Sequence, residues 1–256
     1  MTLGSLFSGR GGFEIGAKSV GIKMLWTCEI DKFLHYKLRR IIPDAKHYQD
    51  VQFVTNPEKV DIISAGFPCQ DVSVSNHKNR KGIKGNRTGL WREVARITDE
   101  IKPSYLVLEN SPELLKKGFE FVLRDLSEIG YNAEWDCWRA ADFGYPHNRR
   151  RLYVIAYPDS IGLRCSLLQP PGAFELLHKW TPTEAYLRVS ISRAKKFRNN
   201  TVIQRDNEFS NFSREIAAFG NAVMPVIAEH LFRCILDYEQ KKSLTVECLC
   251  GMKSLF

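Results

Sequence analysis

Short apolar runs at residues 4–7, 23–28, 61–65, 105–109, 133–139 and 151–156 are separated by stretches of helical periodicity, and this alternation is the strongest constraint on the fold. A run too short for a helix and apolar at nearly every position is a strand buried on both faces, which requires helices above and below the sheet. The expected fold class is therefore α/β, a doubly wound and mostly parallel sheet with right-handed crossovers. Helices are expected at 31–41, 90–101 and 112–129, the last stopped by Gly130 in the position a helix C-cap favours.

The pattern breaks near residue 158. From there to about 208 the chain carries Pro170-Pro171-Gly172, scattered Ser and Asn, and aromatic residues such as Phe174, Trp180, Tyr186 and Phe197 among basic ones, with no clear period. It resumes with 213–219 and a helical stretch at 222–239 that is apolar on one face. The expected organisation is a catalytic and cofactor-binding domain over 1–157, a small irregular lobe over 158–208, and a segment over 209–256 that returns to the first domain. At 256 residues and 44% hydrophobic, the chain can bury a full core. Apolar stretches fall short of the roughly 18 residues of a membrane span, and the amino terminus lacks a signal-peptide pattern, so a soluble, cytoplasmic protein is expected. Seven cysteines at irregular spacing suit reduced thiols better than a disulfide framework. Cys248 and Cys250 have no matching second ligand pair, so no metal is expected.

Residues with chemical potential fall at the ends of the apolar runs. Gly66-Phe67-Pro68-Cys69-Gln70 mounts a proline-braced thiol at the exit of one strand; it is either a nucleophile or a small buried hydrophobe. Phe7-Ser8-Gly9-Arg10-Gly11-Gly12-Phe13 is a glycine-rich turn feeding a helix, without the dinucleotide or phosphate-loop spacing. Glu29, about 20 residues further on, can accept hydrogen bonds from ribose hydroxyls, so a nucleoside-bearing cofactor fits. Glu109, at the mouth of an apolar strand, is either a desolvated proton donor or a capping or ion-paired glutamate. The net charge is +8, with basic clusters at 78–87, at Arg149-Arg150-Arg151 and at 193–198. These suit a polyanion or, individually, a solvated face.

Taken in order, these blocks resemble the DNA (cytosine-5) methyltransferase family over nearly the whole chain apart from 158–208. Phe7 to Phe13 is similar to the first cofactor motif, Glu29-Ile30 to the ribose and adenine contacts, and Gln49-Asp50-Val51 to the contact with the adenine amine. Pro68-Cys69-Gln70 matches the nucleophile block, Glu109-Asn110 the Glu-Asn-Val block, and Arg149 and Arg151 the Gln-x-Arg-x-Arg block. Gly220-Asn221-Ala222-Val223-Met224-Pro225 looks like the last motif. Two positions depart from the pattern: Ser111 stands where valine is usual, and His147 where glutamine is usual.

The resemblance implies a Rossmann-like methyltransferase using S-adenosylmethionine. Its cofactor site would comprise Phe7, Ser8, Gly9, Gly11, Gly12, Phe13, Glu29, Ile30, Asp50, Val51, Pro68, Leu90, Asn221, Ala222 and Val223. Its catalytic groups would be the nucleophile Cys69, the proton donor Glu109, and the arginines Arg149 and Arg151. Gln70, Ser73, Lys78, Arg80, Lys81, Lys84 and Arg87 would contact double-stranded DNA from a mobile catalytic loop, or belong to a merely disordered basic one. The target cytosine would be flipped from the duplex, and 158–208 would recognise the sequence. The chain would act as a monomer in a bacterial or phage-infected cell, beside an independent restriction endonuclease where one exists. Two rival readings are methylation of transfer RNA, disfavoured because the Cys-Phe-Thr block of that subgroup is missing, and a DNA-binding scaffold without turnover.

Overall fold

In the computed structural model the described residues are 1–68, 89–145, 147–161, 168 and 222–253, with side chains in the last segment described to residue 242. They build one seven-stranded sheet. The strands are β1 (Thr2–Leu6), β2 (Lys23–Cys28), β3 (Lys46–Tyr48), β4 (Ile62–Ala65), β5 (Tyr105–Asn110), β6 (Tyr131–Arg139) and β7 (Arg150–Pro158), in the order β3-β2-β1-β4-β5-β7-β6. The first five pair in parallel; β7 inserts antiparallel beside β5, and β6 pairs antiparallel with β7. The helices are α1 (Gly12–Ser19), α2 (Lys32–Ile41), α3 (Gly89–Ile101), α4 (Phe119–Glu128) and α5 (Pro225–Lys253).

Strand β5 shows why the apolar runs lack alternation. Leu106 and Leu108 face the α3 and α4 side, packing with Trp91, Val94, Ile97 and Val122. Tyr105 and Val107 face the α1 and α5 side, with Phe13, Ala17, Leu231 and Phe232. Both faces are dry, so the strand is apolar from Tyr105 to Leu108, before the polar Glu109 and Asn110 at its mouth. Helix α5 lies so close to α1 that a methyl group on Gly16 would meet the Ala228 Cβ and the Glu229 amide nitrogen at 2.7 Å. Only glycine admits that approach, which packs the late part of the chain directly on α1.

Three boundaries differ from the sequence expectation for identifiable reasons. The expected helix 112–129 is two pieces, a 3-10 turn over Pro112–Lys116 and α4, because Gly118 adopts φ 121 and breaks the path. Strand β3 went unpredicted, since Lys46-His47-Tyr48 is a short edge strand without an apolar run. The expected helix over 222–239 begins at Pro225, whose fixed φ suits a first turn. Beyond β7, Asp159 donates its amide to the Gly130 carbonyl, and Leu168 is buried with the α1 and α5 cluster. Pro158 ends β7 and Asp159–Ile161 form a 3-10 turn, while residues 162–167 and 169–208 of the expected lobe lie outside the described residues.

Candidate active site

Strand β1 sits between β2, from which the chain winds outward to β3, and β4, from which it winds the other way to β5. At such a switch point the loops leave in opposite directions and a crevice opens at the carboxyl ends. The expected site residues within the described part of the chain come from the loops and elements around this crevice. Phe7 leaves β1 with φ 56, a left-handed conformation rare for a bulky residue, and Gly9 and Gly11 follow at φ 56 and 83. The turn is held by Ser8 N–H donating to the Cys28 carbonyl (3.0 Å), Gly9 N–H to Glu29 Oε2 (2.7 Å) and Gly11 N–H to the Ser8 carbonyl (2.9 Å).

Glu29 is buried and its second oxygen accepts the Asp31 amide at 2.8 Å. Burial raises its pKa against these two backbone bonds. The carboxyl thus links the first turn to the start of α2, where Asp31 caps Phe33 and Leu34. Next to it Ile30 is 66% exposed. Asp50 caps the turn at Val51–Phe53 by accepting the Gln52 amide, and Val51 is buried in the core. Leu90 is half-buried at the start of α3, and Pro68 is exposed.

A second cluster forms at the end of β5. Glu109 is buried, with Arg151 Nε 3.0 Å and Arg149 Nη2 3.7 Å from its Oε1. Neither guanidinium N–H is aligned on that oxygen, so both contacts are ion pairs rather than hydrogen bonds. Burial pushes the Glu109 pKa up, and the two arginines oppose it without cancelling it. The result is a buried carboxyl with raised proton affinity, next to cations that can take up developing negative charge. Arg149 donates from Nη1 to the Ala222 carbonyl at 2.6 Å, while its Nε and Nη2 are buried with no hydrogen-bond partner among the described residues.

The approach to Cys69 is anchored on the same strand. Asn110 Nδ2 donates to the Phe67 carbonyl at 3.1 Å, and a methyl group on Gly66 would lie 3.5 Å from Glu109 Oε2 and 3.7 Å from Val223 Cγ2. Phe67 packs on Trp91 with ring centroids 5.3 Å apart. Cys69 itself, together with Gln70, Ser73, Lys78, Arg80, Lys81, Lys84, Arg87 and Asn221, lies outside the described residues. Residues 222–223 reach three parts of the site: Ala222 holds Arg149, and Val223 fills the space over Gly12 and beside Gly66. The sequence places Ala222 and Val223 in the cofactor site alone; the contact of Ala222 with Arg149 has no sequence signal.

Both departures from the family pattern have structural roles. Ser111 Oγ accepts the Glu113 amide and caps the 3-10 turn. Ser111→Val should therefore lower stability by about 1 kcal/mol, measured by urea unfolding. His147 is exposed and its Nδ1 accepts the Arg149 amide at 3.4 Å, bracing the arginine segment.

An α/β sheet with a glycine turn at its switch point and a buried acid between two arginines defines the class. A C-5 cytosine-specific DNA methylase family model matches residues 1–215, and the chain belongs to that family. It is 28% identical over 254 residues to the Type II methyltransferase M.CviJI of Paramecium bursaria Chlorella virus IL3A, covering 96% of this chain and 63% of that protein. It is 30% identical over 202 residues to the Type II methyltransferase M.Sau3AI of Staphylococcus aureus, covering 71% of this chain and 49% of that protein. The chain spans roughly half the length of the curated relatives it matches. The S. pombe Dnmt2 methyltransferase structure shares the fold, with a TM-score of 0.52 and 18% identity over 62% of this chain and 51% of that one.

Proposed function

We propose that this chain transfers a methyl group from S-adenosylmethionine to carbon 5 of a flipped-out cytosine in double-stranded DNA, through a covalent adduct of Cys69. The observation that carries this reading is the buried Glu109 between Arg149 and Arg151, on the strand that also anchors the segment leading into Cys69. The cofactor fits the crevice: Glu29 offers buried acceptor oxygens to a ribose, and Ile30 presents an exposed apolar side chain to an adenine. The left-handed turn at Phe7 and Gly9 leaves backbone open to close approach. Phe7, Ser8, Gly9, Gly11, Gly12, Phe13, Asp50, Val51, Pro68, Leu90, Asn221, Ala222 and Val223 complete the proposed cofactor site. When bound, the sulfonium supplies an electrophilic methyl group.

Carbon 5 of cytosine is a poor nucleophile. Addition of the Cys69 thiolate to carbon 6 gives it enamine character, and Glu109 protonates ring nitrogen 3 as sulfur attacks, so negative charge does not build up on the ring. Arg151 holds the carbonyl oxygen of the base, and Arg149 orients the Glu109 carboxyl. After transfer, the carbon 5 proton leaves to solvent, its electron pair re-forms the 5,6 double bond as Cys69 departs as the thiolate, and ring nitrogen 3 returns its proton to Glu109. Residues Gln70, Ser73, Lys78, Arg80, Lys81, Lys84 and Arg87 engage phosphates and the vacated stack, and residues 158–208 read the sequence. The enzyme works as a monomer on cellular or phage DNA; a restriction endonuclease of the same specificity would act separately. Among the described residues no helix is long and apolar enough to cross a membrane.

Bisulfite sequencing of DNA from cells expressing the chain is the test. Protection of cytosine within one short sequence is expected. DNA converted throughout, in cells containing folded protein, overturns the proposal.

A further inference from the structure

A buried acid that the chemistry above does not use lies under the cofactor turn. Glu14, on the first turn of α1, is 1% exposed, and both of its carboxyl oxygens lack a hydrogen-bond partner among the described residues. Around it are buried hydroxyls. Ser5 on β1 and Ser64 on β4 are opposite each other in the sheet register, both fully buried, with neither Oγ hydrogen-bonded. The Ser8 hydroxyl lies beside the carboxyl and makes only a long bond, 3.4 Å, to the Ser5 carbonyl. A methyl group on Gly11 would lie 3.8 Å from Glu14 Oε2, so the carboxyl is in contact range of the turn itself.

For packing alone a leucine or methionine would serve better here. An unpaired carboxyl in a dry site costs desolvation and contributes no more apolar contact. What it supplies is a rotatable proton and two acceptors beside the unpartnered Ser5 hydroxyl and the weakly bonded Ser8 hydroxyl. We infer that Glu14 is a positioning residue of the cofactor site, its carboxyl bridging the Ser5 and Ser8 hydroxyls and so fixing the left-handed path of residues 7–11 over the crevice. This rests on the cofactor reading above and names a residue that acts through the turn rather than by touching the ligand.

The bridge works in the neutral form. Burial raises the Glu14 pKa, the Ser8 and Ser5 hydroxyls oppose the shift, and the neighbouring Glu29 charge adds to it. Of the other charged groups nearby, Arg10 lies in the turn, and Glu229 on α5 is engaged by Ser19 and by Arg233. Ionisation as pH rises through the raised pKa removes the proton the bridge shares and so loosens the turn.

Titration calorimetry of S-adenosylhomocysteine onto the full chain tests this. Glu14→Leu should bind about tenfold more weakly, the scale of one buried hydrogen bond, while Glu14→Gln stays within about twofold of wild type at neutral pH. As pH rises through the raised Glu14 pKa, wild-type affinity should fall more steeply than that of Glu14→Gln. A folded Glu14→Leu that binds like wild type, or a Glu14→Gln with the wild-type pH profile, overturns the inference. Should Glu14→Leu fail to fold, the profile of Glu14→Gln decides alone. Wild type that binds no S-adenosylhomocysteine overturns the cofactor reading as well, so the two failures are distinguishable.

Discussion

Glu109→Gln should lower the rate of methyl transfer to duplex DNA by about 10²–10⁴-fold, the range for removing a general acid. The amide keeps the shape of the acid and can still meet Arg151, so S-adenosylhomocysteine affinity should stay within about twofold. Cys69→Ala in the same assay should show no transfer, because the covalent route is gone rather than slowed. The pH profile identifies the proton. In wild type the acid must be protonated to act, and burial raises its pKa, so activity should fall as pH rises through that raised value. Glu109→Gln should lack this alkaline limb. Arg151→Ala removes a cation that lowers the pKa, so its limb should move to higher pH, beneath a reduced plateau from loss of the contact at 3.0 Å. A limb unchanged in Glu109→Gln would assign the titration to another group.

The parts of this site that were legible in the sequence are those in which one residue both shapes the backbone and ends an apolar run. Glu29 and Glu109 could be picked out because a carboxylate at the mouth of a dry strand has few bland explanations. Even so, each Glu29 oxygen also accepts one backbone amide, from Gly9 and from Asp31, partners that no side-chain pattern encodes. Strand positions were legible from the apolar runs, but direction was not: a strand buried on both faces looks the same parallel or antiparallel, and β7 is antiparallel to β5. That Ser5 and Ser64 stand opposite each other follows from strand register, which the sequence does not encode. Nothing in the local sequence distinguishes Glu14 from a first-turn acid on the surface; it is the docking of α5 and the sheet against α1 that buries it. The contact of Arg149 with Ala222 spans 73 positions and belongs to the packing, not to any local motif.

That contact makes Gly12 the most sensitive point of the crevice outside the reacting groups. A Cβ on Gly12 would stand 2.1 Å from the Val223 carbonyl oxygen and 2.8 Å from its carbonyl carbon, so backbone rather than a flexible side chain would have to move. Gly12→Ala should cost about 1–3 kcal/mol of stability in urea unfolding, as overpacking does. The damage should also reach catalysis. Moving Val223 moves Ala222, whose carbonyl holds the Arg149 guanidinium at 2.6 Å, and Arg149 lies 3.7 Å from Glu109. Cofactor affinity and turnover at saturating cofactor should therefore fall together, each by about tenfold, since a misplacement of this size disturbs both the pocket and the acid. Gly9→Ala is the contrast. Its nearest non-neighbouring atom, the Phe7 carbonyl oxygen, is 3.9 Å from the added carbon, so only the strain of φ 56 is felt, about 1–2 kcal/mol. It should weaken cofactor binding and leave turnover at saturation intact. If Gly12→Ala behaved in that same way, losing affinity alone, the link from the cofactor turn through residues 222–223 to Arg149 would be disproved.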